Sequence, residues 1–370
     1  MLNDDTWTTQ LKLYTAKSKT VENIFLVTNI KMGSDEQIPV WLDCDPGNDD
    51  AFAIMLAAFH PKFNLVGIST VYGNAPLSDT THNTLALLEV FGVQQDEIKV
   101  YAGSERPLAK EPRFATMMHG SSGIGGADLP TTTRLRTSTD QTYLDAMRTA
   151  ILEHSGKICV VCTGCLTNFA SLIQKYPEVK DKIRYISAMG GAFGFGNITP
   201  TAEYNVYCDP VAAKVVLNEE KFSGKIVLAP LNITHKAIAT SEIRNKLYDE
   251  SNPAKNSILR RKFFSILMYF AENYRIHRNM VEGPPLHDPL AMFCLIPVIY
   301  EEEGITNDIN FKYIKSGIDI TLTGEHEGET KLSTDPASCE ILIGDSINIA
   351  IFWQYILEAL DNADRYSKIK

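Results

Sequence analysis

Four carboxylates fall within eight residues: Asp43, Asp45, Asp49 and Asp50, with Pro46-Gly47 bending the chain between them. Carboxylates held this close repel one another, and the usual relief is a proton or a cation. Oxygen donors are hard ligands, so the cations they select are Ca²⁺ or Mg²⁺. Capping of a following helix would account for one or two acids, but not for four. An EF-hand loop counted from Asp43 needs Gly at its sixth position and Glu at its twelfth; Asn48 and Ile54 stand there instead. A phosphohydrolase with an aspartyl nucleophile also opens on Asp-x-Asp. Here Pro46-Gly47 follows that pair, and no basic residue lies near to grip a phosphate. That reading is the alternative enzyme class.

The carboxylates need a scaffold, and the patterning supplies one. Apolar runs at 39–43, 64–71, 98–101, 157–162, 183–189 and 225–229 read as strands. Between or after them, 49–60, 79–91, 141–154, 166–174, a stretch opened by Asp209-Pro210, and 257–277 read as helices. Repeated β-α units predict an α/β fold: an open, mostly parallel sheet with helices on both faces. Ligands of such sheets sit at the carboxyl ends of the strands. The acidic loop, Gly73-Asn74, Thr163-Gly164 and Met189-Gly190-Gly191 each follow a predicted strand, so four polar or glycine-rich segments converge on one rim.

Composition narrows the function. The chain has 370 residues, 44% of them hydrophobic, and a net charge of -10. That suffices for a large core and argues against a nucleic-acid groove, since no basic block is present. No run reaches the roughly 18 apolar residues of a membrane helix. Residues 1–37 are expected to be a poorly ordered extension and 38–370 one domain; Met32 could serve as an alternative start. Seven cysteines, an odd count without a secretion signal, fit reduced thiols in the cytoplasm, with the nucleus as the other compartment. Cys159, Cys162 and Cys165 form C-x-x-C-x-x-C, but they follow a strand pattern and lack a fourth ligand, so they are expected in the core.

The segment 43–51 (DCDPGNDDA) resembles the signature of the inosine–uridine-preferring nucleoside hydrolase family. The resemblance runs from Ile38 to the C-terminus through Val71-Tyr72-Gly73-Asn74, Thr163-Gly164-Cys165-Leu166-Thr167-Asn168, Met189-Gly190-Gly191, Ala202-Glu203-Tyr204-Asn205 and His287-Asp288-Pro289. It is strongest toward the fungal members that cleave uridine. It implies a Rossmann-like α/β fold, one bound Ca²⁺, and a homodimer or homotetramer. It also implies hydrolysis of the N-glycosidic bond of uridine to base and ribose in nucleoside salvage, with cytidine, purine nucleosides or nicotinamide riboside as further substrates.

By position, the resemblance makes Asp45 both a metal ligand and the base that activates water. Asp50, Asp288 and the Thr163 carbonyl complete the metal set. Asp49 and Asn74 would hold ribose hydroxyls; Asn197, Glu203 and Asn205 would grip the rest of the sugar above Met189. His119 and His287 would lie at the base. Each has an ordinary alternative: Asn74 a turn, His119 and Glu203 solvated surface, Met189 core, Asp288-Pro289 a helix start. Asn48 and Cys44 fill positions that the signature leaves open. Cys165 stands where many relatives have Gly or Pro. Phe270, Asn273 and Tyr274, in the segment expected to shape the base pocket, are weaker candidates. A catalytically silent nucleoside or calcium sensor would lack a ligand or the base; Asp45, Asp50 and Asp288 are all present.

Overall fold

The computed structural model describes residues 36–367; the expected extension at 1–37 therefore lies almost wholly outside the described residues. The strands are β1 (Ile38–Cys44), β2 (Phe63–Thr70), β3 (Val100–Ala102), β4 (Cys159–Cys162), β5 (Tyr185–Met189), β6 (Ile226–Ala229), β7 (Lys312–Ser316), β8 (Ile318–Ile320), β9 (Thr330–Leu332) and β10 (Ile341–Ser346). Eight of them form one sheet in the order β3-β2-β1-β4-β5-β6-β10-β7, and β8-β9 form a separate antiparallel hairpin. Every pairing in the large sheet is parallel except β10-β7 at one edge. The six strands expected from the apolar runs are all present. Strands β7 to β10 were not expected: β7 is largely exposed, β8 and β9 have three residues each, and β10, a six-residue strand buried over 341–344, was passed over although its start is an apolar run.

The β1 strand is buried along its whole length, as a central parallel strand with both faces covered must be. Its side chains alternate between two cores. Val40, Leu42 and Cys44 pack with the helices Asp50–Phe59, Leu77–Phe91, Ile258–Arg278, Asp288–Glu302 and Ile349–Tyr366. Trp41 faces the other side, with the helices Tyr143–Glu153, Thr167–Lys175 and Pro210–Leu217. Cys159 and Cys162 point into opposite cores and Cys165 into a third cluster with Cys208. The three sulfurs therefore share no ligand site and serve as buried apolar groups.

The strand order turns back at β1, with β2 on one side and β4 on the other. In open α/β sheets the crevice at such a switch point receives the ligand. β1 ends into the acidic loop and β4 ends into Thr163-Gly164. The two are locked in register, with Asp43 opposite Cys162, and the main-chain N–H of Thr163 donates to the Asp43 carbonyl at 2.9 Å. Among the described residues, no helix is long and apolar enough to cross a membrane.

Candidate active site

The loop after β1 carries its carboxylates into a buried crevice. Asp43, Asp45, Asp49 and Asp50 are all buried, and so is Asp288 at the start of the helix Asp288–Glu302. Hydrogen bonds fix Asp43, Asp45 and Asp50. Asp50 accepts from the Gly47 N–H at 2.9 Å and from the Thr163 hydroxyl at 2.8 Å. Asp45 accepts from the Asn74 N–H at 2.8 Å. The Asn74 side chain donates to the Asp45 carbonyl at 3.1 Å and to Asp50 at 3.2 Å, tying the loop after β2 to the loop after β1. A Cβ on Gly73 or Gly164 would collide with the Asp45 carboxylate, so both loops need glycine to close around it. Asp43 points inward and accepts from Ser69 and from Asn168 at 2.8 Å; it anchors the crevice floor.

The electrostatics of this cluster are strained. Burial pushes the Asp45 and Asp288 carboxyls well above the usual carboxylate range, with neighbouring carboxylates adding to the shift. Asp49 is pushed up to about 7, first by burial and then by Asp50. Asp50 is raised by burial as well. Among the described residues no lysine or arginine pairs with any of them. Ligand oxygens of Asp49, Asp50 and Asp288 lie within 4.8 Å of one another. Buried, unpaired, all-oxygen and strongly anionic, this donor set fits a hard divalent cation.

Above the cluster opens a cavity of about 270 Å³. Asp49, Asn74, His119, Thr163, Met189, Asn197, Glu203, Asn205, His287 and Asp288 all line it. Asp45 and Asp50 lie outside its lining but are bonded to Asn74 and Thr163, which do line it. One wall is set by the segment after β5. Glu203 caps the helix Tyr204–Cys208 and accepts main-chain N–H groups of Gly191 at 2.9 Å, Asn205 at 2.8 Å and Val206 at 3.1 Å. Burial still pushes its carboxyl up to about 7. The Asn205 amide donates to the carbonyls of Thr163 at 2.8 Å and Met189 at 3.2 Å. The Oδ1 of Asn197 is buried and has no partner among the described residues, leaving an acceptor at the cavity wall. The β8-β9 hairpin supports this wall from behind: Thr330 donates to the Ala192 carbonyl at 2.6 Å and accepts its N–H at 3.0 Å.

The opposite end is aromatic. Phe270 and Tyr274 line the cavity from the helix Ile258–Arg278, edge to face with centroids 4.8 Å apart. Phe270 is almost fully buried and lines the cavity. Asn273 turns away and donates to the Met118 carbonyl at 3.0 Å. Burial lowers His119 to about 3 and His287 well below the usual histidine range, so both rings are neutral at physiological pH. Each ring is held by hydrogen bonds. His287 sits between Thr234 and Tyr274, and His119 against Asn48. Sequence reading missed Thr234, Arg113 and Arg278, the two arginines being further lining residues. Nothing in local spacing marks them.

The arrangement joins an acidic, oxygen-rich end suited to a cation and a polyol with an aromatic end suited to a planar ring. Residues 40–354 match the family described as inosine–uridine preferring nucleoside hydrolase. The chain belongs to this family of N-ribosyl hydrolases. It is 40% identical to a uridine nucleosidase of Saccharomyces cerevisiae over 341 residues, 90% of this chain and 98% of that protein. It is 31% identical to an inosine–uridine preferring nucleoside hydrolase of Crithidia fasciculata, over 86% of this chain and 96% of that one. A purine-preferring ribonucleoside hydrolase structure from Gardnerella vaginalis superposes with a TM-score of 0.76 across 88% of this chain and 99% of that chain; at 23% identity it speaks for the fold alone. The phosphohydrolase alternative falls with these matches.

Proposed function

We propose that the protein hydrolyses uridine to uracil and ribose with one Ca²⁺ per chain. The observation that carries the choice of uridine is the 40% identity to the yeast uridine nucleosidase over nearly the whole of both chains. Asp45, Asp50, Asp288 and the Thr163 carbonyl are the residues to hold the ion; that carbonyl keeps a second lone pair beside its Asn205 bond. When bound, Ca²⁺ supplies charge that acidifies a water and orients the ribose diol. Asp45 would serve as the base that takes a proton from the attacking water. Asp49 and Asn74 receive ribose hydroxyls, and Asn197, Glu203 and Asn205 hold the remainder of the sugar over Met189. These acceptors stabilise the positive charge that builds on ribose as the base departs.

At the other end, Phe270 offers a face for the planar base, while His119 and the Tyr274–His287 pair offer protons or hydrogen bonds to it. Uracil leaves as an anion unless so assisted; among the described residues, Arg113 and Arg278 are the fixed cations at the cavity lining. The same donors serve purines less selectively, which is why inosine is the competing substrate. Comparison of kcat/KM for uridine, cytidine, inosine and adenosine at one pH tests the assignment, because that ratio measures transition-state discrimination. Uridine is expected to be best; a tenfold preference for inosine rejects uridine but not the family chemistry. Elemental analysis should return one calcium per chain, and zinc in its place would refute the ion. Residues 38–370 are proposed as the catalytic domain, in the cytoplasm, so a chain beginning at Met32 should retain full turnover. A homodimer or homotetramer is the proposed assembly, read by its mass in solution.

A further inference from the structure

Asn48 occupies a signature position that the family pattern leaves open, yet it is fully buried. Its side-chain nitrogen donates to the carbonyls of Gly125 at 2.9 Å and Ile266 at 3.0 Å. Two carbonyl partners fix which end of the amide is nitrogen. Its Oδ1 therefore faces Nδ1 of His119 at 3.2 Å, and its main-chain N–H points at the same Nδ1, also at 3.2 Å. Gly47 makes this approach possible, since a Cβ there would sit 2.5 Å from Nδ1. Phe270 backs the ring with centroids 5.1 Å apart. One residue thus ties the carboxylate loop to the loop bearing His119 and to the helix bearing Phe270 and Tyr274.

We propose that Asn48 is the positioning residue for the base-side histidine: its side-chain amide, bonded to Gly125 and Ile266, fixes the loop so that its main-chain N–H meets Nδ1 of His119, and an Nε2–H is left to face the cavity and donate to an electronegative edge of the nucleobase. A main-chain N–H can only donate, so the Nδ1 it meets must carry a lone pair and the ring proton must sit on Nε2. The other tautomer would satisfy Oδ1 but orphan the N–H, and buried N–H groups are left orphaned less often than carbonyl oxygens. Among the described residues none bonds Nε2 of His119, which leaves that atom for the ligand. Burial keeps the ring neutral, so it acts as a hydrogen-bond donor that stabilises charge developing on the leaving base.

The inference rests on the reading of His119 as a base-side group, and the experiment separates the two. Uridine and p-nitrophenyl β-D-ribofuranoside, whose nitrophenolate leaves without assistance, are compared in the calcium-loaded wild type, Asn48→Leu, His119→Ala and the double variant. Asn48→Leu is expected to lower kcat for uridine by about 10- to 100-fold, to change nitrophenyl riboside turnover by less than about threefold, and to cost nothing further once His119 is Ala. Equal losses on both substrates, or additive losses in the double variant, would overturn the assignment as merely structural. Unchanged uridine turnover in His119→Ala rejects the base-side reading itself; a slow His119→Ala beside a normal Asn48→Leu rejects only the role of Asn48. If Asn48→Leu does not fold, Asn48→Ser takes its place in the same cycle. Nitrogen-15 shifts of the His119 ring in the wild type should report the neutral Nε2–H form; an Nδ1–H form overturns the proposal.

Discussion

The hydroxyl of Tyr274 and Nε2 of His287 are 2.6 Å apart, and Nδ1 of the same ring is 2.7 Å from the Thr234 hydroxyl. Three protic groups therefore run in a line from the protein interior to the cavity wall. Each end of a neutral imidazole has a partner, and shifting the protons along the line would exchange its two tautomers without orphaning either nitrogen. Tyr274→Phe keeps the ring that packs on Phe270 and removes only the hydroxyl. Turnover of uridine should fall by about 10- to 100-fold in kcat/KM, with a melting temperature within about 3 °C of the parent. An unaltered kcat/KM would show the line to be structural.

What sequence could and could not reveal divides by distance along the chain. The acidic loop is legible because strand, turn and helix start are consecutive, so the carboxylates announce both their number and their element. Strands β1 to β6 are legible because buried parallel strands are apolar runs. β7 has no such run: it is an edge strand whose residues are mostly exposed. The part played by Asn48 was illegible for another reason. Its partner Ile266 is 218 residues away, and an Asn in a turn has an ordinary local explanation. Tyr274 is read as one helical aromatic among several until the fold brings His287 against it.

Asp45→Asn should abolish turnover and leave the fold intact. Asp45 is held by the Asn74 N–H and hemmed in by Gly73 and Gly164, and Asn has the same shape as Asp. Loss of a general base is worth typically 10²- to 10⁴-fold, and any disturbance of the ion adds to it. Circular dichroism and calcium content measured with kcat make the outcome readable. Near-normal turnover by a calcium-loaded Asp45→Asn enzyme would remove Asp45 from the chemistry.

Removal of metal should invert the usual pH dependence of stability. Asp43 and Asp49 rise from an ordinary value of 3.8 to about 7 on folding, and Glu203 from 4.5 to about 7, in each case chiefly by burial. A carboxyl whose folded pKa exceeds its unfolded one binds protons more tightly when folded. Between about 4 and 7 the folded state then holds more protons, and stability falls as pH rises through that window. Enzyme stripped with a chelator should melt at least about 5 °C lower at pH 8 than at pH 5. Calcium added at pH 8 should restore the loss, because a ligand that binds only the folded state adds stability in proportion to ln(1 + [Ca²⁺]/Kd). Calorimetry at both pH values, with and without calcium, decides; a stripped enzyme more stable at pH 8 would mean that the cluster is already neutralised by other means.

Thr163 and Asp288 separate the contributions of a carbonyl and a carboxylate. Considered only as a carbonyl ligand, Thr163 should tolerate Ala without loss, since Ala keeps the main chain. The structure adds a second function: the Thr163 hydroxyl donates to Asp50 at 2.8 Å inside the buried cluster. Thr163→Ala therefore strips a bond from a buried carboxylate, a change worth about 1–3 kcal/mol. Asp288→Ala removes a charged side chain whose carboxyl lies beside both Asp49 and Asp50. Calcium affinity measured by titration calorimetry should fall by about 10-fold or less in Thr163→Ala and by well over 100-fold in Asp288→Ala. Thr163→Ser, which keeps the hydroxyl, should bind calcium as the parent does. Equal losses in Thr163→Ala and Asp288→Ala would mean that the Thr163 side chain, and not its carbonyl, is what the ion requires.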